Sequence, residues 1–353
     1  MIVDGIRKLV ERQDLTESEA HDCMTEIVSG QATAAQIAAF LTALQFKGET
    51  VQEITSFARV MRENSIRITP KVSGRLVDTC GTGGDIVKSF NVSTAAAIVI
   101  AGAGVHVAKH GNRSVTSKSG SADVLESLGV NLDVSPSKTE EMIEQIGIGF
   151  LFAPKLHPAM KYAREPRMEI GIRTVFNILG PLTNPARADA QVLGVYSESL
   201  VEPMAEVARN LGSKEAIVVH GSGGLDEIST FGPTKMSWVR EGNISTSEVT
   251  PETFGIAKAR PEEIVGAGPE ENAKYIIRIL KSGIRSDIPR GEMILVNAAA
   301  GIIVGGRSDN FLEAIEIARE SIDSGNAFSK LKALIVESGG DTSKMEELEG
   351  EHE

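Results

Sequence analysis

The first seventy residues repeat apolar positions with the period of an α-helix. Ile37, Phe40, Leu41 and Leu44 are three or four residues apart, which places their side chains on one helix face. A Thr followed three positions later by Glu or Gln is typical of a helix start, because each side chain accepts a hydrogen bond from the other residue's backbone N–H. This capping box occurs at Thr16 with Glu19, Thr33 with Gln36, and Thr50 with Glu53. The segment is predicted to be a small all-helical module that ends near Pro70.

After Pro70 short apolar segments alternate with helical ones, which indicates a parallel α/β sheet. The predicted order is a strand at 76–78, a helix at 91–103 capped by Asn91 or Ser93, a strand at 105–108, a loop at 109–120 and a helix at 121–128. Further on, residues 191–220 fit a βαβ unit and residues 234–249 fit an antiparallel strand pair.

Other segments break this alternation. Residues 155–185 are rich in Pro and Gly and contain a predicted helix at 171–179. We expect this segment to return to the helical module and form a second connection between domains. Helices dominate from Glu270 onward, and the polar, acidic residues 339–353 are predicted to be a frayed tail.

The predicted fold class is therefore α/β, with a small all-helical N-terminal domain hinged to a larger α/β domain that has a mostly parallel central sheet. The predicted domains are a helical one at 1–70, completed by about 160–188, an α/β one at 71–159 and 189–338, and the acidic tail at 339–353.

The charge and composition exclude some classes of partner. A net charge of −12 argues against non-specific binding to nucleic acid or to an acidic membrane surface. Aromatic residues make up 4% of the chain, too few for a base-stacking platform. An anionic ligand therefore needs a local concentration of hydrogen-bond donors.

Cysteine content and the N-terminus indicate a cytoplasmic protein. Cys23 and Cys80 are far apart in sequence, so no disulfide framework is predicted, and two cysteines suit a reducing compartment. The N-terminus lacks a basic region followed by an apolar stretch, so no signal peptide is predicted. The longest apolar run, 95–101, is too short to cross a membrane.

The segment Gly-Thr-Gly-Gly-Asp at 81–85, the glycine loop, lies between a predicted strand and a helix N-terminus. Backbone N–H groups and the helix dipole favour an anion at such a position. The loop matches neither the dinucleotide fingerprint nor the Walker loop, and a tight turn without a ligand is the alternative.

A stretch without acidic residues follows the glycine loop. Residues 86–122 contain no Asp or Glu, although 48 acids in 353 residues predict about five there. The stretch contains four cations, Lys88, Lys109, Arg113 and Lys118. It is also dense in hydroxyl and amide side chains that can donate to phosphate and ribose oxygens. An anion pocket is therefore favoured over an exposed basic face.

Two adjacent carboxylates, Asp226 and Glu227, follow a predicted strand at 216–219 through a glycine turn. Ligands bind at the carboxyl ends of strands in α/β sheets. Near a pyrophosphate these carboxylates would repel it unless a cation lay between them, so we interpret them as Mg²⁺ ligands. The alternative is a solvated turn.

Four further side chains are candidates for the site. His110 and His157 have neither a nucleophile triad nor a metal-ligand spacing around them, so a packing or hydrogen-bonding role is favoured. One of Arg167 and Arg173 could pair with a substrate carboxylate, and an inter-domain ion pair is the alternative for each.

Together the motifs resemble the anthranilate phosphoribosyltransferase family. The matching segments are Asp-Thr-Cys-Gly-Thr-Gly-Gly-Asp at 78–85, Asn-Val-Ser-Thr at 91–94, Lys-His-Gly-Asn-Arg at 109–113, Gly-Ile-Arg-Thr at 171–174, Asn-Ile-Leu-Gly-Pro-Leu-Thr-Asn-Pro at 177–185, and Asp226-Glu227. They occur in the family's order and approximate spacing, and the resemblance runs to about residue 335. Ser89 replaces the commoner Thr but keeps the hydroxyl, and residues 164–168 depart from the family's Val-Arg-Lys pattern.

The resemblance implies a fold of the nucleoside phosphorylase and phosphoribosyltransferase type and a homodimer formed through the helical part. It implies transfer of phosphoribose from 5-phosphoribosyl 1-pyrophosphate to the amine of anthranilate, in tryptophan biosynthesis. The implied donor-binding residues are Gly81, Gly84, Asp85, Ser89, Asn91, Val92, Ser93, Thr94, Lys109, His110, Gly111, Asn112, Arg113, Ser114, Val115, Thr116, Ser117 and Ser121. The implied Mg²⁺ ligands are Ser93, Asp226 and Glu227, and the implied anthranilate contacts are Gly81, Asn112, Arg167, His110 and Pro181.

No catalytic nucleophile or general base stands out, and positioning by Asn112, Arg167 and His110 is expected instead. An aromatic amine is neutral at pH 7 and can attack without a strong base, so holding it against the ribose is most of the task. The sequence leaves two alternatives open: an enzyme like a pyrimidine nucleoside phosphorylase, and a non-catalytic paralogue that binds nucleic acid or a regulatory ligand.

Overall fold

The computed structural model describes residues 1–84, 87–114 and 118–350. Its first four helices are α1 Ile2–Val10, α2 Glu17–Val28, α3 Ala34–Lys47 and α4 Val51–Glu63. All three predicted capping boxes are formed, which confirms the predicted starts of α2, α3 and α4. Phe40 and Phe57 meet edge to face inside this group, with ring centroids 6.1 Å apart.

Seven strands form one sheet: β1 Leu76–Gly81, β2 His106–Gly111, β3 Ile148–Phe152, β4 Ala190–Gly194, β5 Glu215–Gly221, β6 Thr234–Arg240 and β7 Asn243–Val249. Their order is β3-β2-β1-β4-β5-β6-β7. The first five strands in this order pair in parallel, and β6 and β7 add an antiparallel edge. The predicted antiparallel pair and the predicted α/β fold class are confirmed.

Twelve further helices lie along the described ranges: α5 Val92–Gly102, α6 Ser121–Ser127, α7 Pro136–Ile146, α8 Ala153–Leu156, α9 Lys161–Ile170, α10 Phe176–Leu182, α11 Val201–Asn210, α12 Pro269–Ser282, α13 Ile288–Val304, α14 Phe311–Asp323, α15 Asn326–Glu337 and α16 Thr342–Gly350. One apolar cluster packs α5 and α12 to α15 against one face of the sheet. A second cluster joins α1 to α4 with α9 to α11 and the other face. No helix within these ranges has the length and apolar character needed to cross a bilayer.

The segment between β3 and β4 packs on the N-terminal helices, since α9 contacts α2 and α3, and α10 contacts α4. The helix predicted at 171–179 is misplaced. Gly171 ends α9 in the left-handed conformation, with φ of +62°, and α10 begins only at Phe176. Between them the backbone N–H of Thr174 donates to Asn177 Oδ1 at 2.9 Å, a turn hydrogen bond that stops the two helices from merging.

The prediction of a frayed tail is wrong for residues 342–350. They form α16, which packs against α12 and α15. Met345 is buried, and Lys281 Nζ lies 2.8 Å from Glu349 Oε2. Met345 and the partly buried Leu348 anchor a segment whose composition is otherwise polar, and composition does not reveal such anchors.

Candidate active site at the carboxyl ends of the strands

Three segments that are distant in sequence meet at the carboxyl ends of β1, β2 and β5. The Gly83 N–H donates to Asp226 Oδ2 at 2.7 Å, and the Ser93 N–H donates to Glu227 Oε1 at 3.2 Å. The acidic pair is therefore tied to the glycine loop by one carboxylate and to the N-terminus of α5 by the other. This is the position at which an α/β sheet binds its ligand.

Two glycines make room for Asp226. A Cβ atom at Gly81 would lie 2.1 Å from Asp226 Oδ2, and one at Gly194 would lie 1.5 Å from the Asp226 carbonyl oxygen. Both distances are shorter than any real contact, so the loop after β5 reaches the glycine loop only because β1 and β4 end in glycine. Asp226 is 9% exposed, so its carboxylate faces other protein groups more than bulk water.

Lys109 lies on β2, beneath the glycine loop, with 3% of its surface exposed. Its Nζ donates to the Thr79 carbonyl at 2.6 Å and to Ser93 Oγ at 3.3 Å. Burial lowers the pKa of Lys109, and the negative charge of Asp78 opposes this without cancelling it. The strand continues to Gly111, so the prediction that a loop begins at residue 109 is wrong: the ladder to β3 holds these residues in the sheet.

Asp78 is a functional candidate that reasoning from the sequence did not single out. It is fully buried on β1, and its Oδ1 accepts a hydrogen bond from the His110 N–H at 3.0 Å. Burial raises the pKa of Asp78, and a hydrogen bond from Asn184 opposes the rise. The sequence does contain a signal for Asp78, since it is an acidic residue inside an apolar strand directly before the glycine loop. A carboxylate buried in this way needs dedicated hydrogen-bond partners.

His110 and His157 are brought together, with ring centroids 5.1 Å apart. Both are 6% exposed. Burial lowers the pKa of His110 to about 3 and that of His157 to about 4, so both rings are neutral at pH 7. Each ring has a backbone partner, Gly180 for His110 and Thr183 for His157, while the two buried Nε2 atoms have no partner among the described residues.

The described part of the acid-free stretch is tied together mainly by amide and hydroxyl groups. Asn91 is at the N-cap position of α5, but its side chain does not cap the helix. Instead Asn91 Oδ1 accepts from Ser119 Oγ and from Asn272 Nδ2, each at 2.9 Å. Ser121 is the first residue of α6, and its Oγ accepts from the Asn112 N–H at 3.2 Å.

Arg113 is held by the acids that follow the stretch. Its Nη1 lies 3.1 Å from Asp123 Oδ1 and 2.8 Å from Glu126 Oε2 on α6. These hydrogen bonds raise the pKa of Arg113. Arg113 therefore orients the loop after β2 against α6.

The inter-domain arginines lie on the helical side. Arg167, on α9, stacks over Phe176 with 5.1 Å between its guanidinium carbon and the ring centroid, and burial lowers its pKa. Arg173 reaches the glycine loop, where its Nη2 donates to the Gly84 carbonyl at 2.8 Å. Its guanidinium also stacks on Tyr196 at 4.2 Å from the ring centroid. Pro181 is buried within α10.

The remaining predicted donor residues lie around this framework. Val92 and Thr94 are buried in the first turn of α5, and Ser89 pairs in an isolated bridge with Val265. Gly111 ends β2, and the Ser114 N–H donates to Asp123 Oδ2 at 3.0 Å. Four predicted residues lie outside the described ranges: Asp85, Val115, Thr116 and Ser117.

The donor set around Asp226 fits Mg²⁺. The carboxylates of Asp226 and Glu227 are hard oxygen ligands, and the contact of the Ser93 N–H with Glu227 brings the Ser93 hydroxyl, a third hard oxygen, to the same strand ends. Within 1–84, 87–114 and 118–350, no group of three or more Asp, Glu, His or Cys residues is arranged to hold a metal by itself. Mg²⁺ commonly takes one or two carboxylates and completes its shell with substrate phosphates and water.

Comparison with known proteins identifies the family. Residues 3–65 match the helical bundle domain of a glycosyl transferase family, and residues 73–328 match the a/b domain of the same family. The anthranilate phosphoribosyltransferase of Methanocorpusculum labreanum is 53% identical over 96% of this chain and 99% of its own length. That of Pelotomaculum thermopropionicum is also 53% identical, over 96% of this chain and 97% of its own.

Solved structures agree with these relatives. The crystal structure of anthranilate phosphoribosyltransferase from Thermus thermophilus is 41% identical and superposes with a TM-score of 0.89, covering 95% of this chain and 99% of that one. The Saccharomyces cerevisiae enzyme in complex with PRPP and Mg is 30% identical with a TM-score of 0.87, covering 96% and 98%. This chain belongs to the anthranilate phosphoribosyltransferase family.

Proposed function

We propose that this protein transfers the 5-phosphoribosyl group of 5-phosphoribosyl 1-pyrophosphate to the amine of anthranilate. The products are N-(5-phosphoribosyl)anthranilate and pyrophosphate, and the reaction belongs to tryptophan biosynthesis. The observation that carries the proposal is the contact of Asp226 with Gly83 and of Glu227 with Ser93, which unites an acidic pair with an anion-binding loop.

The phosphoribosyl donor binds over the glycine loop and the N-terminus of α5. The backbone N–H groups there and the ammonium of Lys109 supply positive charge where the stretch from 86 to 122 supplies no acid. The proposed donor contacts are Gly81, Gly84, Asp85, Ser89, Asn91 to Thr94, Lys109 to Ser117, and Ser121.

Ser93, Asp226 and Glu227 would hold Mg²⁺ together with the donor. When bound, the ion neutralises part of the charge that grows on the departing pyrophosphate. Asp226 is positioned for this role by Gly83, and the backbone of Ser93 orients Glu227.

Anthranilate is positioned by Gly81, Asn112, Arg167, His110 and Pro181. The bond from the anomeric carbon to the pyrophosphate oxygen breaks and the electron pair leaves with pyrophosphate. The amine lone pair forms the new carbon–nitrogen bond, and the proton that the amine carries passes to solvent when the site opens to release the products. Because neutral amines attack unaided, the protein contributes orientation and the exclusion of water, and none of its side chains needs to act as a strong base.

We also propose a cytoplasmic homodimer and the domain division at 1–70 with 160–188, 71–159 with 189–338, and 339–353. Movement between these domains would close the site over both substrates. Pyrimidine nucleoside phosphorolysis and a non-catalytic role are not favoured, since the full-length relatives described above are anthranilate phosphoribosyltransferases.

The test is the loss of anthranilate fluorescence in the presence of donor and Mg²⁺, with Mg²⁺ omitted from the control. Consumption of anthranilate that requires the protein, the donor and Mg²⁺ supports the proposal. Phosphorolysis of uridine or thymidine without anthranilate turnover would replace it with the phosphorylase alternative. Donor binding by calorimetry without any turnover would favour the non-catalytic alternative.

The role of Arg167 is tested by Arg167→Ala, with Arg164→Ala, an exposed arginine of the same helix, as the matched control. Loss of the planar fork should mainly raise the KM for anthranilate, while the control leaves both KM values unchanged. A rise confined to the donor KM would remove Arg167 from the anthranilate site.

A further inference from the structure

A cavity lies at the amino ends of β4 and β5, at the opposite end of the strands from the glycine loop. Its volume is about 210 Å³, and it is bounded by the end of α4 and by the two loops that lead into β4 and β5. We name it the arginine pocket, and the lining residues that matter here are Arg59, Arg62, Arg187, Asp189, Asn210 and Ser213. The pocket therefore lies between the N-terminal helices and the amino ends of two parallel strands.

One of the two acidic groups at the pocket, Asp189, is already engaged. Asp189 Oδ1 accepts from the Leu76 N–H at 2.9 Å, and its Oδ2 lies 2.7 Å from Lys214 Nζ. Glu63 also lines the pocket, and its Oε2 lies 3.7 Å from His21 Nε2, beyond hydrogen-bond distance. Asp189 is therefore fully engaged, and among the described lining residues Glu63 is the one acid that can oppose the charge of the three arginines.

One of the three arginines is also paired, because Arg59 forms a salt bridge with Glu17 and donates to the Asn210 carbonyl at 3.3 Å. Arg62 and Arg187 are different. Across 1–84, 87–114 and 118–350, neither has a carboxylate oxygen within 4.0 Å. Two neighbouring guanidinium groups without counter-ions favour the approach of an anion.

Capping of helix ends accounts for part of this arrangement. Arg62 Nε donates to the Leu182 carbonyl at 2.6 Å and its Nη1 to the Leu211 carbonyl at 3.4 Å, at the C-terminal ends of α10 and α11. Cations are favourable at helix C-termini, but each helix end carries only about half a negative charge. Burial lowers the pKa of Arg62 to about 10, and the charge of Arg187 acts in the same direction.

Capping does not explain Arg187. Its side chain has no hydrogen-bond partner among the described residues, and its backbone has a φ of +49°, a conformation that non-glycine residues seldom adopt. The Nη2 group of Arg62 likewise has no acceptor in the described part of the chain. The pocket thus presents several N–H donors, and guanidinium groups match oxyanions in geometry.

We propose that the arginine pocket binds a small polyvalent oxyanion, of the class of inorganic phosphate or pyrophosphate, between Arg62 and Arg187. The volume supports this class, because drug-sized ligands occupy pockets of roughly 300–1,000 Å³. The anion contacts α4 on one side and the loops before β4 and β5 on the other. Its binding therefore links the helical part to the sheet and stabilises their arrangement.

The test is calorimetric titration of the whole protein with sodium phosphate and, separately, with sodium pyrophosphate, at constant ionic strength set with NaCl. The variant is Arg187→Gly, since glycine adopts the left-handed backbone of this position without strain. Arg187→Lys keeps the charge, and Arg209→Ala removes an exposed arginine from nearby α11 outside the pocket. A parallel set with saturating donor and Mg²⁺, without anthranilate, separates this binding from binding at the active site.

We expect at least one of the two oxyanions to bind wild type and Arg209→Ala equally. Arg187→Gly should weaken that binding at least tenfold and Arg187→Lys should weaken it less. The same anion should raise the melting temperature of wild type and not of Arg187→Gly. The proposal is overturned if Arg187→Gly and Arg209→Ala bind both anions with the same affinity. The comparison of variants holds even if the donor fails to bind, so the two proposals fail separately.

Discussion

Two buried lysines in this protein have opposite environments. Lys47, at the end of α3, has a side chain that is 4% exposed, and its Nζ lies 2.7 Å from Asp14 Oδ1 and 2.9 Å from Glu53 Oε2. Burial acts to lower the pKa of Lys47, but these hydrogen bonds outweigh it and the pKa is raised overall. Lys109 donates only to a carbonyl and a hydroxyl, and its pKa is lowered.

The difference separates a structural charge from a charge suited to a ligand. Glu53 completes the structural group, since its Oε1 also accepts from the Leu15 N–H at 2.9 Å and its Oε2 from the Thr50 N–H at 2.8 Å. At Lys109 no carboxylate within the described ranges lies in salt-bridge contact, and the charge is held by neutral oxygens below an anion-binding loop. A bound pyrophosphate would supply the missing negative charge.

The largest expected effect is on stability, from Lys47→Met. Removing one partner of a buried pair leaves Glu53 as an uncompensated buried charge, which costs about 3–5 kcal/mol. Lys8→Met, which breaks the partly exposed pair with Glu19, is the control and should cost less than about 1 kcal/mol. Urea unfolding measures both. Equal costs would mean that the Lys47 group is no more important than a surface pair.

Lys109→Met should affect activity instead. Loss of one charge aimed at the transition state lowers kcat/KM by about 100- to 1,000-fold. Because the folded state holds the charge of Lys109 at a cost, the midpoint of unfolding should not fall as it does for Lys47→Met. The folded fraction of Lys47→Met should keep its normal kcat/KM. If both variants lowered the midpoint of unfolding and neither lowered kcat/KM, the two lysines would not differ in role.

The histidine pair should make stability depend on pH between 7 and 5. Both rings have a folded pKa below the unfolded value of 6.5, so their contribution is complete above pH 6.5 and is lost as pH falls toward about 4. At pH 5 the loss is about 2 kcal/mol for each ring. Urea unfolding at pH 7 and at pH 5 gives the loss in free energy of unfolding between the two pH values. His157→Asn should make this loss smaller by the contribution of one ring.

The control for this measurement is His21→Asn, which changes a histidine of α2 whose side chain is 45% exposed. It should reproduce the pH dependence of the wild type. An unchanged pH dependence in His157→Asn would show that the ring is not held neutral by burial.

The smallest effect is expected from Arg173→Met. This change removes the hydrogen bond from Nη2 to the Gly84 carbonyl and the stacking on Tyr196, each a contact of about 1 kcal/mol. The donor KM should rise about tenfold with little change in stability, because the glycine loop loses its tie to the helical side. Arg164→Met is the matched control. A donor KM equal to that of the control would make the Arg173 contact incidental to binding.

Local hydrogen bonding explains which elements could be predicted. The capping boxes at Thr16, Thr33 and Thr50 form within four residues of sequence, so the starts of α2, α3 and α4 are visible in the chain itself. The errors lie where distant contacts decide. The ladder to β3 keeps Lys109 to Gly111 in a strand, and packing on α12 makes the polar tail helical through Met345.

The sequence by itself determined the family, the glycine loop, the acid-free stretch and the acidic pair, because each is a local pattern of residue types. Only the tertiary structure decided that Asp226 enters the space left by Gly81 and Gly194, and that His110 meets His157. Folding alone also places Arg62 beside Arg187, at the amino ends of the strands. These contacts join residues from about 30 to more than 140 positions apart, and their burial and charge arise only when the strands and helices pack together.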